Sequence, residues 1–241
     1  MLHSTSSRSK THVYAAVMAV SAVAAVGFAA CLVAGRSEAQ PPAARVAAPL
    51  PAPLLPITLP GNAESGAVLA TTCAGCHGVP GSHNAYPAYH VPKLGGQNAD
   101  YLEIALQGYR RGTRSHPTMR VQAATLSDQD IADIAAYFST YEGQPASGKS
   151  SASAVDIEAG KRAAVACQQC HGQTGVADAK QWPTLAGQHE SYLEQALKQY
   201  QTGQRADALM GPMIKPLDSA TIAQLAAYFS SQAFLHGTEP R

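Results

Sequence analysis

Residues 73–77 read Cys-Ala-Gly-Cys-His, and residues 167–171 read Cys-Gln-Gln-Cys-His. The second pentapeptide stands 94 positions after the first, and the likeness continues downstream at an offset of 91. Pro92-Lys93-Leu94-Gly95-Gly96-Gln97 is matched by Pro183-Thr184-Leu185-Ala186-Gly187-Gln188, and Tyr101-Leu102-Glu103 by Tyr192-Leu193-Glu194. Tyr109 is matched by Tyr200, and Ala136-Tyr137-Phe138-Ser139 by Ala227-Tyr228-Phe229-Ser230. A three-residue surplus in the loop after the first pentapeptide explains the change of offset. Constant register after that loop means one architecture used twice.

Within each copy the periodicity is helical. No stretch alternates with period two over five or more residues, so both units are read as all-α. A first helix runs into each Cys-X-X-Cys-His segment. Asp100 and Ser191 are the expected N-caps of helices ending near Gly112 and Gly203, and Ser127 and Asp218 those of helices running to about Ser139 and Ser230. The copies occupy residues 62–142 and 156–241. Each is near the lower size limit for a self-sufficient core, and at 6% aromatic residues the chain is short of large side chains to fill one.

The chain has 17 Lys+Arg against 16 Asp+Glu, a formal charge of +1, which excludes a nucleic-acid binder working through bulk positive charge. Sixteen Pro and 20 Gly in 241 residues are too few for a collagen-like or wholly disordered chain. Residues 62–141 and 156–241 each carry one more acidic than basic residue, so the positive excess lies in the leader and linkers.

Residues 1–39 read as a membrane anchor or signal segment. Val13 to Gly35 is uncharged, with Arg8 and Lys10 before it and Arg36 after. A helix of that length reaches roughly 34 Å, against ~30 Å for a bilayer core. Secretory signals have shorter apolar regions, which favours a retained anchor; a cleaved signal, or a lipoprotein attached at Cys31, is the alternative. All three export the body of the protein, with the periplasm and tethering to the inner membrane as the expectation. Residues 40–61 hold seven prolines between Gln40 and Pro60, an extended stalk, and residues 143–155 form a Gly/Ser-rich linker.

Cys-X-X-Cys-His is the attachment signature of c-type haem. Two thiols add to the two vinyl groups of one porphyrin, and the adjacent His reaches the iron. The expectation is two covalently attached haem c groups, held by Cys73 and Cys76 and by Cys167 and Cys170, with His77 and His171 on the irons. A zinc site would leave both histidines unused, a thioredoxin-like pair needs a βαβ context, and disulfides call for no His. Haem also supplies the core the aromatics lack.

Sixth ligands should recur at equivalent places. Met119 and Met210 lie eight residues before Ser127 and Asp218, and 91 apart. A thioether is a soft ligand suited to iron, and His/Met ligation raises the potential relative to bis-His. Met213 is the rival to Met210, and Gln122 holds its place in the first copy. His83, His90 and His116 have no equivalents in the second copy and are read as loop and surface residues; His189 and His236 are read as solvated. Pro92 and Pro183 suit a rigid loop held against the haem. Arg110, Arg111, Arg114 and Arg120 gather around Met119, where haem propionates, an acidic partner or simple solvation would account for them.

The set of motifs, in this order over about residues 62–235, resembles dihaem cytochrome c4, with two tandem class I cytochrome c domains. The resemblance implies pseudo-twofold related domains exchanging electrons, His77 with Met119 and His171 with Met210 as the axial pairs, and the carbonyls of Pro92 and Pro183 receiving the His N–H groups. It implies an electron-transfer protein and no enzyme, exchanging with redox proteins such as a quinol-oxidising complex and a terminal oxidase. The alternatives are a cytochrome subunit of a flavocytochrome-like dehydrogenase and, further off, a dihaem peroxidase or thiosulfate-oxidising enzyme.

Overall fold

Residues 52–143 and 150–238 are described by the computed structural model. The apolar stretch 13–35, Cys31, most of the Pro-rich stalk and residues 144–149 of the linker lie outside them. Among the described residues no helix is long and apolar enough to cross a membrane.

Each copy is built on two helices that cross at a glycine. α1 (Ala63–Leu69) packs on α5 (Asp128–Thr140), and α6 (Ala154–Ala163) on α10 (Ser219–Ser230). A Cβ on Gly66 would lie 2.0 Å from the carbonyl oxygen of Asp133, and one on Gly160 would lie 1.9 Å from that of Gln224. Only glycine lets the two backbones meet this closely.

Between these helices lie α2 (Thr71–His77), α3 (Ala99–Arg111) and α4 (Pro117–Ala124) in the first copy. The second has a 3₁₀ turn (Ala164–Ala166) running into α7 (Gln168–His171), then α8 (Glu190–Gln201) and α9 (Met210–Ile214). The cores correspond: Leu102, Ile134, Ala135 and Phe138 in one, Leu193, Leu225, Ala226 and Phe229 in the other.

Ser127 caps α5 through a full capping box with Asp130, and Asp218 caps α10 by accepting from Thr221 N at 2.7 Å. Asp100 and Ser191 are not caps. The helices begin two residues earlier, after Asn98 and His189, neither of which makes a side-chain cap bond. Asp100 instead lies in the first turn, where its charge suits the helix dipole.

The first copy is not purely helical. The loop that carries the three-residue surplus folds into an antiparallel ribbon, β1 (His83–Ala85) with β2 (Ala88–His90), whose partners are His83 with His90 and Asn84 with Tyr89. Strands this short give no legible alternation. The ribbon is held by the second copy: Tyr89 is buried beside Tyr192 with ring centroids 6.5 Å apart, and His90 stacks on His189 at 4.6 Å.

The seam between the copies is reciprocal. Gln97 Nε2 donates to Thr184 O (2.9 Å) and Gln97 Oε1 accepts from Thr184 N (2.8 Å). Its repeat mate Gln188 does the same to Lys93, accepting from the N–H at 2.9 Å and donating to the carbonyl at 3.0 Å. Ser115 N donates to Gln204 O and Ala206 N to Thr113 O, both at 2.8 Å, around the pair Arg114–Arg205. Each bond has its mate with the copies exchanged, the pattern that a local twofold relation produces.

Two segments cross or wrap this frame. The chain end passes back from the second copy to the first: Leu235 N donates to Ala186 O, His236 N to Gly95 O, and Thr238 Oγ1 to His77 O at 2.6 Å. The end of the Pro-rich stretch lies along α3, with Ile57 N donating to Glu103 Oε2 (2.6 Å) and Gln107 Nε2 to Leu55 O (2.9 Å).

Candidate functional site

His77 ends α2 and His171 ends α7, so each pentapeptide is a turn of helix delivering its imidazole at the C-terminus. Nδ1 of His77 lies 2.8 Å from Pro92 O, and Nδ1 of His171 lies 2.8 Å from Pro183 O. A carbonyl only accepts, so the proton sits on Nδ1 and Nε2 presents a lone pair. Burial lowers the pKa of both imidazoles, with the carbonyl bond opposing it, and keeps them in the neutral, ligating form. Burial also raises the Cys73 and Cys167 thiols above their ordinary value. Cys73, Cys76, Cys167 and Cys170 form no disulfide, and all four line the same cavity as the two histidines.

That cavity measures about 970 Å³ and runs through both copies, with Met119, Met210 and Met213 on its wall. Both methionines 91 residues apart are placed by a side chain that accepts from their N–H. His116 caps α4 and takes the Met119 N–H on Nδ1 at 3.2 Å, while its Nε2 lies 2.9 Å from Asn84 Oδ1. Asp207 Oδ1 takes the Met210 N–H at 2.7 Å. His116 and Asp207 occupy the same place in the two copies, a match hidden in the sequence by the change of residue type. With both nitrogens engaged, His116 is a support for Met119 rather than a surface residue. Met213 is 46% exposed, and Met210 half-buried.

Four histidines read as loop or solvated residues lie in contact networks. His83 lies tilted against His90, His90 stacks on His189 across the seam, and His90 Nδ1 lies 2.9 Å from Ser191 Oγ. His236 sits in the returning segment, bridged to Gly95, with its Nδ1 buried without a partner. Burial, with Lys93 and then His90 adding to it, lowers the pKa of His189 to about 3.

The four arginines near Met119 separate. Arg110 pairs with Asp128, Arg111 and Arg120 face solvent, and Arg114 is buried at the seam. Arg205, 91 residues on and not singled out by the sequence, is buried beside it at 5% exposure. Arg114 Nη1 donates to Tyr101 OH (3.0 Å), and its guanidinium lies 4.8 Å from the Tyr109 ring centroid. Arg205 Nε donates to Gln199 Oε1 (2.7 Å), and its guanidinium lies over Tyr192 at 5.4 Å. Burial opposes both charges, yet the surrounding phenols hold both pKa values above the ordinary one; the same two charges bring Tyr192 below its usual value against burial.

Among the described residues, no salt bridge joins either of these arginines to a carboxylate, and Arg114 Nε is buried with no partner. A buried guanidinium pair without a counterion is expensive. A group bringing carboxylates into the cavity would compensate both, and the propionates of a porphyrin are of that kind. Thiols, neutral imidazoles, thioethers and uncompensated guanidiniums therefore fit haem at both ends of the cavity.

The family model for cytochrome c matches residues 63–142 and 157–233. The chain belongs to the cytochrome c family. It is 34% identical over 185 residues to cytochrome c4 of Pseudomonas aeruginosa, an alignment covering 70% of this chain and 87% of that protein. The crystal structure of reduced recombinant cytochrome c4 from Pseudomonas stutzeri superposes with a TM-score of 0.61 at 31% identity, over 71% of this chain and 99% of that one. Thiosulfate dehydrogenase from Marichromatium purpuratum superposes with a TM-score of 0.60 at 36% identity, over 70% of this chain but 40% of that one. The tandem cytochrome c4 arrangement carries two covalently bound haem c groups, and the protein is a dihaem electron-transfer cytochrome.

Proposed function

We propose that this cytochrome is a carrier whose two irons are closed on both faces, His77 with Met119 in the first copy and His171 with Met210 in the second. One observation carries the reading. Each copy sets a neutral imidazole, its lone pair freed by a proline carbonyl, and a methionine fixed through its own N–H on the walls of one cavity.

The haems supply a one-electron couple when bound. The protein's residues do the rest. Cys73, Cys76, Cys167 and Cys170 hold the porphyrins covalently. The Pro92 and Pro183 carbonyls orient the imidazoles and raise their basicity. As iron ligands the methionine sulfurs would favour the ferrous state and leave no position for a substrate, which would separate a carrier from a peroxidase-type enzyme. Arg114 and Arg205 would hold propionates at the seam, and the positive charge they place there would favour reduction.

This reading is tested by exposing the reduced holoprotein to carbon monoxide. An unchanged spectrum is expected. A carbon monoxide complex at either haem would mean an open iron and would move the assignment to an enzyme.

The proposed setting is the periplasm, tethered by residues 13–35, with electrons passing from a quinol-oxidising complex to a terminal oxidase. The charged start and uncharged run of the N-terminal sequence support that placement. The likeness to thiosulfate dehydrogenase favours a second donor class, a periplasmic dehydrogenase. Co-purification of such a subunit would decide for it.

A further inference from the structure

The two copies are matched residue for residue in what surrounds the irons but not at the rims of the cavity. In α4, Thr118, Met119 and Gln122 line the cavity while Arg120 and Val121 face solvent. The Arg120 guanidinium reaches back over Gly112, at the end of α3 beside the exposed Arg111. From Tyr109 to Thr125 there is no acidic residue, and Arg110 is already paired with Asp128. The rim beside Met119 therefore carries two outward positive charges.

At the same register in the second copy Arg111 becomes Thr202, His116 becomes Asp207, Thr118 becomes Leu209, Arg120 becomes Gly211 and Gln122 becomes Met213. Asp207 and Lys215 are exposed and of opposite sign. Leu209 is 57% exposed and Met213 46%, and both also line the cavity. This rim is apolar and neutral. Apart from His116 and Asp207, which hold the methionine N–H groups, the changed residues are exposed side chains or, at Gly211, no side chain at all, and such a rim is where recognition rather than folding is written.

We infer that the rim beside Met119 is the docking face for a redox partner with an acidic surface, and that the second haem exchanges electrons through an apolar, charge-neutral contact. The inference rests on the carrier reading above. Charges at a rim act on association rate and its salt dependence more than on affinity. Two charges fall short of the clusters of roughly 4–8 that hold a protein to an anionic lipid surface, so the fitting occupant is a protein.

The test is stopped-flow oxidation of the reduced, full-length holoprotein by ferricyanide, an anionic probe, over a range of ionic strength. Two phases are expected. One slows about tenfold as salt rises, as attraction to a positive rim requires, and the other hardly changes. Poly-L-glutamate, as an acidic polypeptide, should retard the first phase alone. In Arg111→Thr/Arg120→Gln the salt-sensitive phase should lose its slope. In Thr202→Arg/Gly211→Arg the insensitive phase should acquire one. A Cβ on Gly211 meets nothing within 4 Å, so that side chain has room. Two phases with equal salt slopes, or slopes that ignore both double variants, would overturn the inference. A holoprotein with one haem, or with one carbon monoxide-reactive iron, would instead sink the carrier reading.

Discussion

The proton on Nδ1 of His77 and of His171 is fixed by a proline carbonyl 2.8 Å away, and with it the direction of each lone pair. These residues were legible because covalent attachment demands the thiols and the imidazole at one spacing. Arg114 and Arg205 show what was not. Their role needs a partner that comes with the haem, and their pairing is visible only once the 91-residue offset is carried beyond the motifs. Replacing either by Met should leave a buried propionate unpaired and cost the holoprotein about 3–5 kcal/mol, with the haem potentials lowered through loss of positive charge. Denaturant unfolding of the holoprotein, alongside a redox titration, checks both; a variant as stable as the parent would remove the arginines from the site. His189 offers a second test. Its pKa, about 3 in the fold against about 6.5 unfolded, is depressed for a base, so the unfolded chain binds the extra proton. Stability should be flat above pH ~6.5 and fall as pH drops from there toward 3, by less than the limiting ~1.4 kcal/mol per pH unit because the ring is partly solvated. His189→Gln should flatten that slope, as read by urea midpoints across the range.

Among the elements, α5 and α10 were placed correctly by their caps because Ser127 and Asp218 satisfy N–H groups that nothing else reaches. The starts of α3 and α8 were misread for the converse reason. Asn98 and His189 cap nothing with their side chains, and the polar residues that looked like caps lie inside the first turn. The ribbon of β1 and β2 was missed because three-residue strands leave no period to count, and what stabilises it is Tyr89 and His90 meeting the other copy. The crossing of α1 with α5 gives the prediction at this scale. With 2.0 Å available at Gly66 and 1.9 Å at Gly160, an added methyl group must part the helices. Gly66→Ala and Gly160→Ala should each lose about 1–3 kcal/mol, or on the order of 4–8 °C in Tm per kcal/mol for domains of this size. Calorimetry of the holoprotein should show this; an unchanged Tm would mean the helices do not meet at the glycine.

For the molecule as a whole, the repeat told that two copies exist but not how they meet. The seam depends on Gln97 and Gln188 each bonding a backbone N–H and carbonyl of the opposite copy, and on the chain end returning to His77 through Thr238. Such contacts carry no periodicity, and glutamines in a Pro-X-Leu-X-Gly-Gln segment look like loop residues until the partner is in place. The seam makes one continuous cavity through the two copies, and the arginines at its centre lie among phenols from both, so haems bound there would share an electrostatic setting. The account stands or falls on axial ligation, and a spectroelectrochemical titration of the holoprotein with Met119→Ala and Met210→Ala tests it most directly. Two one-electron steps are expected, both ferric haems showing the charge-transfer band of iron–thioether bonding; each variant should lose half of that band and lower one potential alone. A band that survives either substitution, or a single variant that abolishes all of it, would contradict the assignment of one methionine to each iron.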